Sequence, residues 1–222
     1  MAKYMIHTYT KRLWYVKEYL LPSMYEQGIK EEDIIVWNDY SSKGNLISCI
    51  ESFLSIPNND DGIWHLQDDI IICRDFKKRT EELDTGIVCG FCCEYDPDVN
   101  SAGVVGIINM WWSFPCIRIP NKYAREFAEW FDARKDCDFE VKYLAKKNKN
   151  DDLLFRYWLE RHYITERAIC VKPNLVDHID YLIGGTSINH HRGDKIIKSP
   201  CFEDIDLVYA LKEKLEERNG IH

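Results

Sequence analysis

Residues 62–73 read Gly-Ile-Trp-His-Leu-Gln-Asp-Asp-Ile-Ile-Ile-Cys, an apolar run with two adjacent carboxylates at its centre. An Ile-rich run of this length, following a cluster of turn-formers, has the pattern of a buried strand. A carboxylate in a strand interior is costly to bury unless it is paired or bound to a metal. The chain is therefore constrained to break the strand at Asp68-Asp69 and to turn both acids toward a cleft. Mg2+ and Mn2+ take oxygen ligands and are often shared between carboxylates and a substrate phosphate. The pair is thus a candidate metal–diphosphate site. The competing reading is a surface turn with two solvated acids; Ile63, Leu66 and the isoleucines at 70–72 argue against it.

The residues before this run supply its frame. Tyr4-Met5-Ile6 forms a short strand pattern ending at His7-Thr8. Leu13, Val16, Leu20 and Met24 recur at steps of three and four, which predicts an amphipathic helix, kinked at Pro22 and closed at Gly28. A second strand at 34–37 runs into Asn38-Asp39. A helix opened by Gly44-Asn45 turns Leu46, Cys49, Ile50 and Phe53 inward. The order β-α-β-α-β predicts a mostly parallel sheet, whose ligands bind beyond the carboxyl ends of the strands. That rule gathers His7-Thr8, Asn38-Asp39 and Gln67-Asp68-Asp69 along one edge.

The second half is less regular. It predicts a short polar helix at 75–83, strands at 85–93, 103–109, 116–119 and 168–171, and a helix from Pro120. A charged loop over 135–150 precedes a helix at 151–163 opened by Asp151-Asp152, and Leu207, Leu211 and Leu215 mark a closing helix. With no repeat and no Ser/Gly linker, the expectation is a single α/β domain over 1–222, with a nucleotide-binding half (1–73) and an acceptor-binding half (74–222). A central, mostly parallel mixed sheet would be flanked by helices.

The totals narrow the partners. The formal net charge of -8 disfavours a nucleic-acid surface. No apolar run approaches the ~20 residues of a membrane span. Met1-Ala2-Lys3 leads straight into a strand pattern rather than a signal peptide, and nine unframed cysteines suit reduced thiols. Together these predict a cytoplasmic protein. Cys89-x-x-Cys92-Cys93 lies in a strand-like run with no second pair nearby, so buried structural cysteine is favoured over a zinc or redox site.

Three motifs, in this order on this pattern, carry a resemblance over most of the chain to the GT-A fold glycosyltransferases. Gln67-Asp68-Asp69 resembles their acidic DxD motif in its EDD variant. Asp151-Asp152, opening a helix, resembles the later acidic motif that supplies the base in inverting members. Pro173-Asn174-Leu175-Val176-Asp177-His178 resembles a P-x-L-V-x-H segment near the C-terminus of several such enzymes. Gln67 departs from the pattern by replacing an acid, so fewer charges would meet a metal. The resemblance implies a Rossmann-like, GT-A-like domain that moves a sugar from a nucleotide-diphosphate sugar, UDP-sugars favoured, to an acceptor hydroxyl the sequence does not identify. It implies inversion and assistance by Mn2+ or Mg2+.

On that reading Asp69 ligates the metal directly, with Asp68 as ribose or outer-sphere partner and Gln67 as a hydrogen-bonding group. His178 is a further metal-ligand candidate, because neutral imidazole is a common ligand; a structural histidine beside Asp177 and Asp180 is the alternative. Asp39 would accept from the imide N–H of a uracil-like base, with Thr8, Tyr9 and Arg12 lining the same pocket. Arg192 and Lys195, beyond Gly184-Gly185, would close over the diphosphate. Asp152 would act as base and Asp151 as helix cap, the two roles being interchangeable. Trp111 and Trp112 would stack on the acceptor sugar. Two alternatives remain. A nucleotidyltransferase would show an early glycine-rich phosphate loop, which residues 7–12 lack. A non-catalytic nucleotide-sugar-binding module would keep the fold without turnover.

Overall fold

The computed structural model describes residues 3–83, 86–91, 103–105, 114–146, 151–162, 168–183 and 202–220. Seven strands form one sheet: β1 (Lys3–Tyr9), β2 (Ile34–Asp39), β3 (Gly62–Gln67), β5 (Ile87–Cys89), β6 (Gly103–Val105), β7 (Cys116–Pro120) and β8 (Ala168–Lys172). Their spatial order is β2-β1-β3-β7-β5-β8-β6. The pairs β2–β1, β1–β3 and β5–β8 are parallel and the other three antiparallel, so five strands point one way and β7 and β6 the other. A two-stranded sheet pairs β4 (Ile70–Ile72) with β9 (Val176–His178). The architecture is a mixed α/β sheet, mostly parallel in direction, of Rossmann-like form.

The period-two alternation of the strands explains why both faces are covered. Met5, Ile63, Ile87, Ile117 and Ile119 point to one core, shared with α3 (Asn45–Ser55), α5 (Asn121–Arg134) and α7 (Asp151–His162). Tyr4, Ile6, Trp64, Leu66, Val88 and Cys116 point to the other, shared with α2 (Leu21–Glu26), α4 (Phe76–Glu82), α8 (Ile205–Arg218) and the β4–β9 pair. Leu46, Cys49, Ile50 and Phe53 of α3 are buried at helical spacing. Phe53 and Phe127 meet edge-on in the first core at 6.2 Å between centroids. Truncating either to Ala would cost about 3–5 kcal/mol. Gly62 is fixed by packing: a Cβ there would lie 2.3 Å from the Arg118 guanidinium carbon.

The chain leaving β1 crosses the face of the second core, while the chain leaving β2 crosses the opposite face through α3. The strand order reverses about β1, which has β2 on one side and β3 on the other, so the switch point at which open α/β sheets bind ligands lies at the carboxyl ends of β1 and β3.

Three local expectations change. The helix begun at Leu13 is divided into α1 (Leu13–Tyr15), a π-helical turn (Val16–Leu20) and α2. Pro22 falls in the first turn of α2, where its missing N–H is unneeded, rather than inside a continuous helix. The charged 135–150 stretch is not all loop. It holds α6 (Phe139–Leu144), nucleated by the Asp138 carboxylate, which accepts from the N–H groups of Glu140 and Val141. Residues 176–178, given no element from sequence, form β9. No helix among the described residues is long and apolar enough to cross a membrane.

Candidate functional site

The 62–73 run breaks where its carboxylates require. β3 ends at Gln67, Asp68-Asp69 form a bend, and β4 leaves the main sheet to pair with β9. Both acids are buried, Asp68 at 5% and Asp69 at 7% exposure. Three elements bring partners to them. The end of β1 supplies Thr8, whose hydroxyl donates to Asp68 Oδ2 at 2.8 Å. The turn after β1 supplies Arg12, whose Nη1 is 3.0 Å from Asp68 Oδ1 and also donates to Asp69 Oδ2. The β4–β9 ladder sets Ile70 opposite His178, and Ile179 N–H bonds the Asp69 carbonyl at 2.8 Å. His178 Nε2 thereby stands 3.2 Å from Asp69 Oδ2. Tyr15 donates to the Ile70 carbonyl at 2.8 Å and pins the bend from below.

The charges divide the two acids. Burial pushes Asp68 up to about 6, reinforced by Asp69 and opposed by Arg12 and the Thr8 hydroxyl. Burial also acts upward on Asp69, but the charge and hydrogen bond of His178, then of Arg12, outweigh it and hold Asp69 well below the usual carboxylate range. Burial works against the charge on His178, yet Asp69 raises it above the ordinary imidazole value. Asp69 Oδ1 and Arg12 Nε are buried without a hydrogen-bond partner. A buried polar atom left in that state calls for a partner such as an ordered water or a bound group.

The second acidic pair opens α7. Asp151 is buried and its carboxyl is pushed up to about 7, first by burial, then by the negative charges of Asp152 and Asp69. Its sensitivity to Asp69 places the two motifs within electrostatic reach of each other. Burial raises Asp152 to about 6, and its Oδ1 accepts the Leu153 N–H at 2.7 Å. Both acids thus accept backbone N–H groups at the start of α7, and Asp151 in addition responds to the first acidic pair.

The other sequence candidates among the described residues make local contacts. Asp39 Oδ2 accepts the Gly44 N–H at 3.1 Å and so helps open α3. Tyr9 lies beneath Arg12, with the guanidinium carbon 5.4 Å from its ring centroid. Gln67 is half-buried at the end of β3, beside His7 in register. Arg12, expected to line a nucleotide pocket, is the counterion of the acids, a partnership that nothing in the sequence signals between residues so far apart. His7, placed at the ligand edge from sequence, pairs with His65, which sequence did not single out; His7 Nε2 and His65 Nδ1 are 3.0 Å apart. Burial lowers His7 to about 4, and both burial and His7 lower His65. Cys89 is buried, its thiol 2.9 Å from the Phe91 carbonyl oxygen, and Cys92 and Cys93 lie outside the described residues. So do Trp111, Trp112, Arg192 and Lys195.

A cleft of about 360 Å³ lined by Trp130, Arg134, Asp138, Arg161 and His162 lies at the far end of α7. It is roughly 17 Å from the acids along that helix at 1.5 Å per residue. It takes no part in the acid cluster.

Asp69 and His178 converge closely enough to share a cation, but the remaining conditions for a metal centre are not met. The described residues contain no group of three or more His, Cys, Asp or Glu side chains placed to hold a metal ion. Arg12 Nη1 already bridges the two carboxylates. The described side chains thus fit a guanidinium-neutralised pair rather than Mn2+ or Mg2+ ligation.

No family model and no curated protein matches the chain. Among solved structures it is similar to A197 from STIV, at 12% identity and a TM-score of 0.41, over 80% of this chain and 85% of that one.

Proposed function

We propose that the protein is a GT-A-like glycosyltransferase that moves a sugar from a nucleotide-diphosphate sugar, UDP-sugars favoured, to an acceptor hydroxyl. The observation that carries this reading is the placement of two acidic pairs, all buried but for the half-buried Asp152. Asp68-Asp69 sits at the carboxyl edge of the sheet, neutralised by Arg12 and His178, and Asp151 of the second pair feels the charge of Asp69.

In this reading the nucleoside enters the crevice at the carboxyl ends of β1 and β3. The diphosphate leaves toward Arg12 and His178, whose positive charge stabilises what develops on it. Asp151 removes the acceptor proton. A carboxylate titrating near neutrality is suited to that step, since it is ionised at working pH yet basic enough to take a proton. Asp152 is assigned to the helix terminus because it already accepts the Leu153 N–H. Trp111 and Trp112 remain the proposed acceptor platform, and Arg192 with Lys195 the proposed cover over the donor.

The test is a panel of nucleotide sugars, assayed by thermal shift and by release of nucleoside diphosphate with water as a slow acceptor. Stabilisation and turnover by one donor support the reading. Stabilisation without turnover by any donor would favour a non-catalytic binding module, a reading that Gln67 in place of an acid also suits. Release of pyrophosphate would point to nucleotidyl transfer.

A further inference from the structure

We infer that Arg12 takes the place of a divalent cation at Asp68-Asp69, so that this site accepts a diphosphate without a metal. Four observations carry this inference.

The first is spatial. A hard cation shared by Asp68 Oδ1 and Asp69 Oδ2 would bind each oxygen at ~2.0–2.6 Å. The atom that bridges those two oxygens is Arg12 Nη1, 3.0 Å from the first and hydrogen-bonded to the second. A metal and this guanidinium cannot share the position.

The second is charge. Gln67 removes one acid from the triplet, leaving two carboxylates. Arg12 neutralises one of them, and His178, 3.2 Å from Asp69, completes the balance when protonated. A divalent cation added to this cluster would leave it with excess positive charge.

The third is that Arg12 is held in place. Its N–H bonds the Tyr9 carbonyl at 2.9 Å, its guanidinium packs over the Tyr9 ring, and its side chain is only 13% exposed. The fourth is its spare donor. Nη1 serves both carboxylates, while Nε is buried without a partner. A guanidinium offers five N–H donors in a fork that matches phosphate oxygens. Arg12 holds both acids with one nitrogen, which leaves its other donors uncommitted to them. The diphosphate half of this inference rests on the nucleotide-sugar reading above.

The experiment uses the full chain, stripped with EDTA, in calorimetric titrations with Mn2+ alone, UDP plus EDTA, and UDP plus Mn2+. The wild type is expected to show no stoichiometric Mn2+ binding at submillimolar concentration, and the same UDP affinity with and without metal. Arg12→Gln is expected to lose at least about tenfold in UDP affinity, the scale of a charge-assisted hydrogen bond, and to gain Mn2+ binding at the uncovered acids. Arg12→Lys keeps the charge without the fork and is expected to fall between. Mn2+ binding by the wild type, or UDP binding only with Mn2+, would overturn the inference and leave the nucleotide reading standing. UDP binding under neither condition would sink the nucleotide reading, while the Mn2+ titration would still decide the place of Arg12. The wild-type titrations decide this even where the variants do not fold.

Discussion

Two Asp-Asp pairs stand at element ends of this fold, and Asp69 of one and Asp151 of the other behave oppositely. Asp68-Asp69 is surrounded by Thr8, Arg12 and His178, and Asp69 is held in its ionised form. Asp151 is buried to a similar degree and Asp152 half-buried, but the charges bearing most on Asp151 are Asp152 and Asp69, both negative, and its carboxyl rises to about 7. Residue type is identical, so the difference lies in what each element brings alongside. The first pair receives a cation from the turn after β1 and an imidazole from β9. The second receives backbone N–H groups at a helix terminus. Environments that push titratable groups apart in this way separate a charge-holding role from a proton-transferring one.

The largest expected effect separates those roles directly. Asp151→Asn keeps shape and helix-terminal hydrogen bonding but cannot take a proton. Transfer should fall by about 10²- to 10⁴-fold, the usual scale of general-base catalysis, with donor affinity unchanged. Asp152→Asn should lose far less, because an amide oxygen can still accept the Leu153 N–H. Steady-state kinetics with direct binding measurements checks both; equal losses would erase the distinction drawn between the two acids. The wild-type rate should also climb with pH up to about 7 and then level off, as Asp151 ionises.

Next in size is the removal of the cation. Arg12→Ala leaves two adjacent buried carboxylates facing only Thr8 and His178. Breaking a buried pair by removing one partner costs about 3–5 kcal/mol, because a charge is stranded. Urea denaturation should show that loss at neutral pH and a smaller one in acid, where Asp68 is protonated. A cost below 1 kcal/mol, within the range of surface pairs, would mean the cluster is solvated.

How much of this was legible in the chain follows the same division. The break at Asp68-Asp69 could be read because two carboxylates cannot sit inside a buried strand, and β1, β2 and β3 fall in one sheet as their periodicity required. The role of Arg12 could not be read, because the ion pairs join residues 56 and 57 positions apart. β9 was hidden because Asp177 interrupts its apolar pattern, and α6 because charged residues surround a single buried anchor, Val141. The antiparallel insertion of β7 between β3 and β5 is a long-range pairing with no local signature.

A third expectation concerns stability against pH, where Asp151 and Asp69 carry opposite signs. Asp151 is raised from 3.8 to about 7, so the folded chain keeps a proton that the unfolded chain loses between those values. Stability therefore declines as pH rises through that window. Asp151→Asn should melt higher than wild type at about pH 8, by a gain on the order of 1–3 kcal/mol, and show no gain at about pH 4. Asp69 is depressed, so its contribution is present above the ordinary carboxylate value and is lost as pH falls. Asp69→Asn should accordingly melt lower than wild type at neutral pH, with the deficit shrinking in acid. Melting curves of both variants across this range should diverge in opposite directions; parallel curves would show that the charges around each acid do not differ as described.

The smallest expected effect tests how finely Asp68 and Asp69 are themselves distinguished. Thr8 donates to Asp68 Oδ2 at 2.8 Å and makes no such bond to Asp69. Replacing it with Val keeps the volume and the β-branched shape but deletes the donor. A hydrogen bond to a charged group contributes about 1.5–3 kcal/mol, and leaving Asp68 Oδ2 without it exposes the full cost of burial. Arg12 still neutralises Asp68 through the other oxygen, so the loss should lie at the lower end, about 1–2 kcal/mol. Because the hydroxyl favours the ionised form, its loss should also move Asp68 further above about 6, so that its carboxyl titrates closer to neutrality. Thr8→Ser restores the donor and should recover most of the stability. NMR titration of the Asp68 carboxyl carbon in the wild type and both variants reads the shift directly. An unchanged titration in Thr8→Val would mean that Arg12 alone sets the charge state of Asp68, and that the asymmetry within the first pair comes from His178.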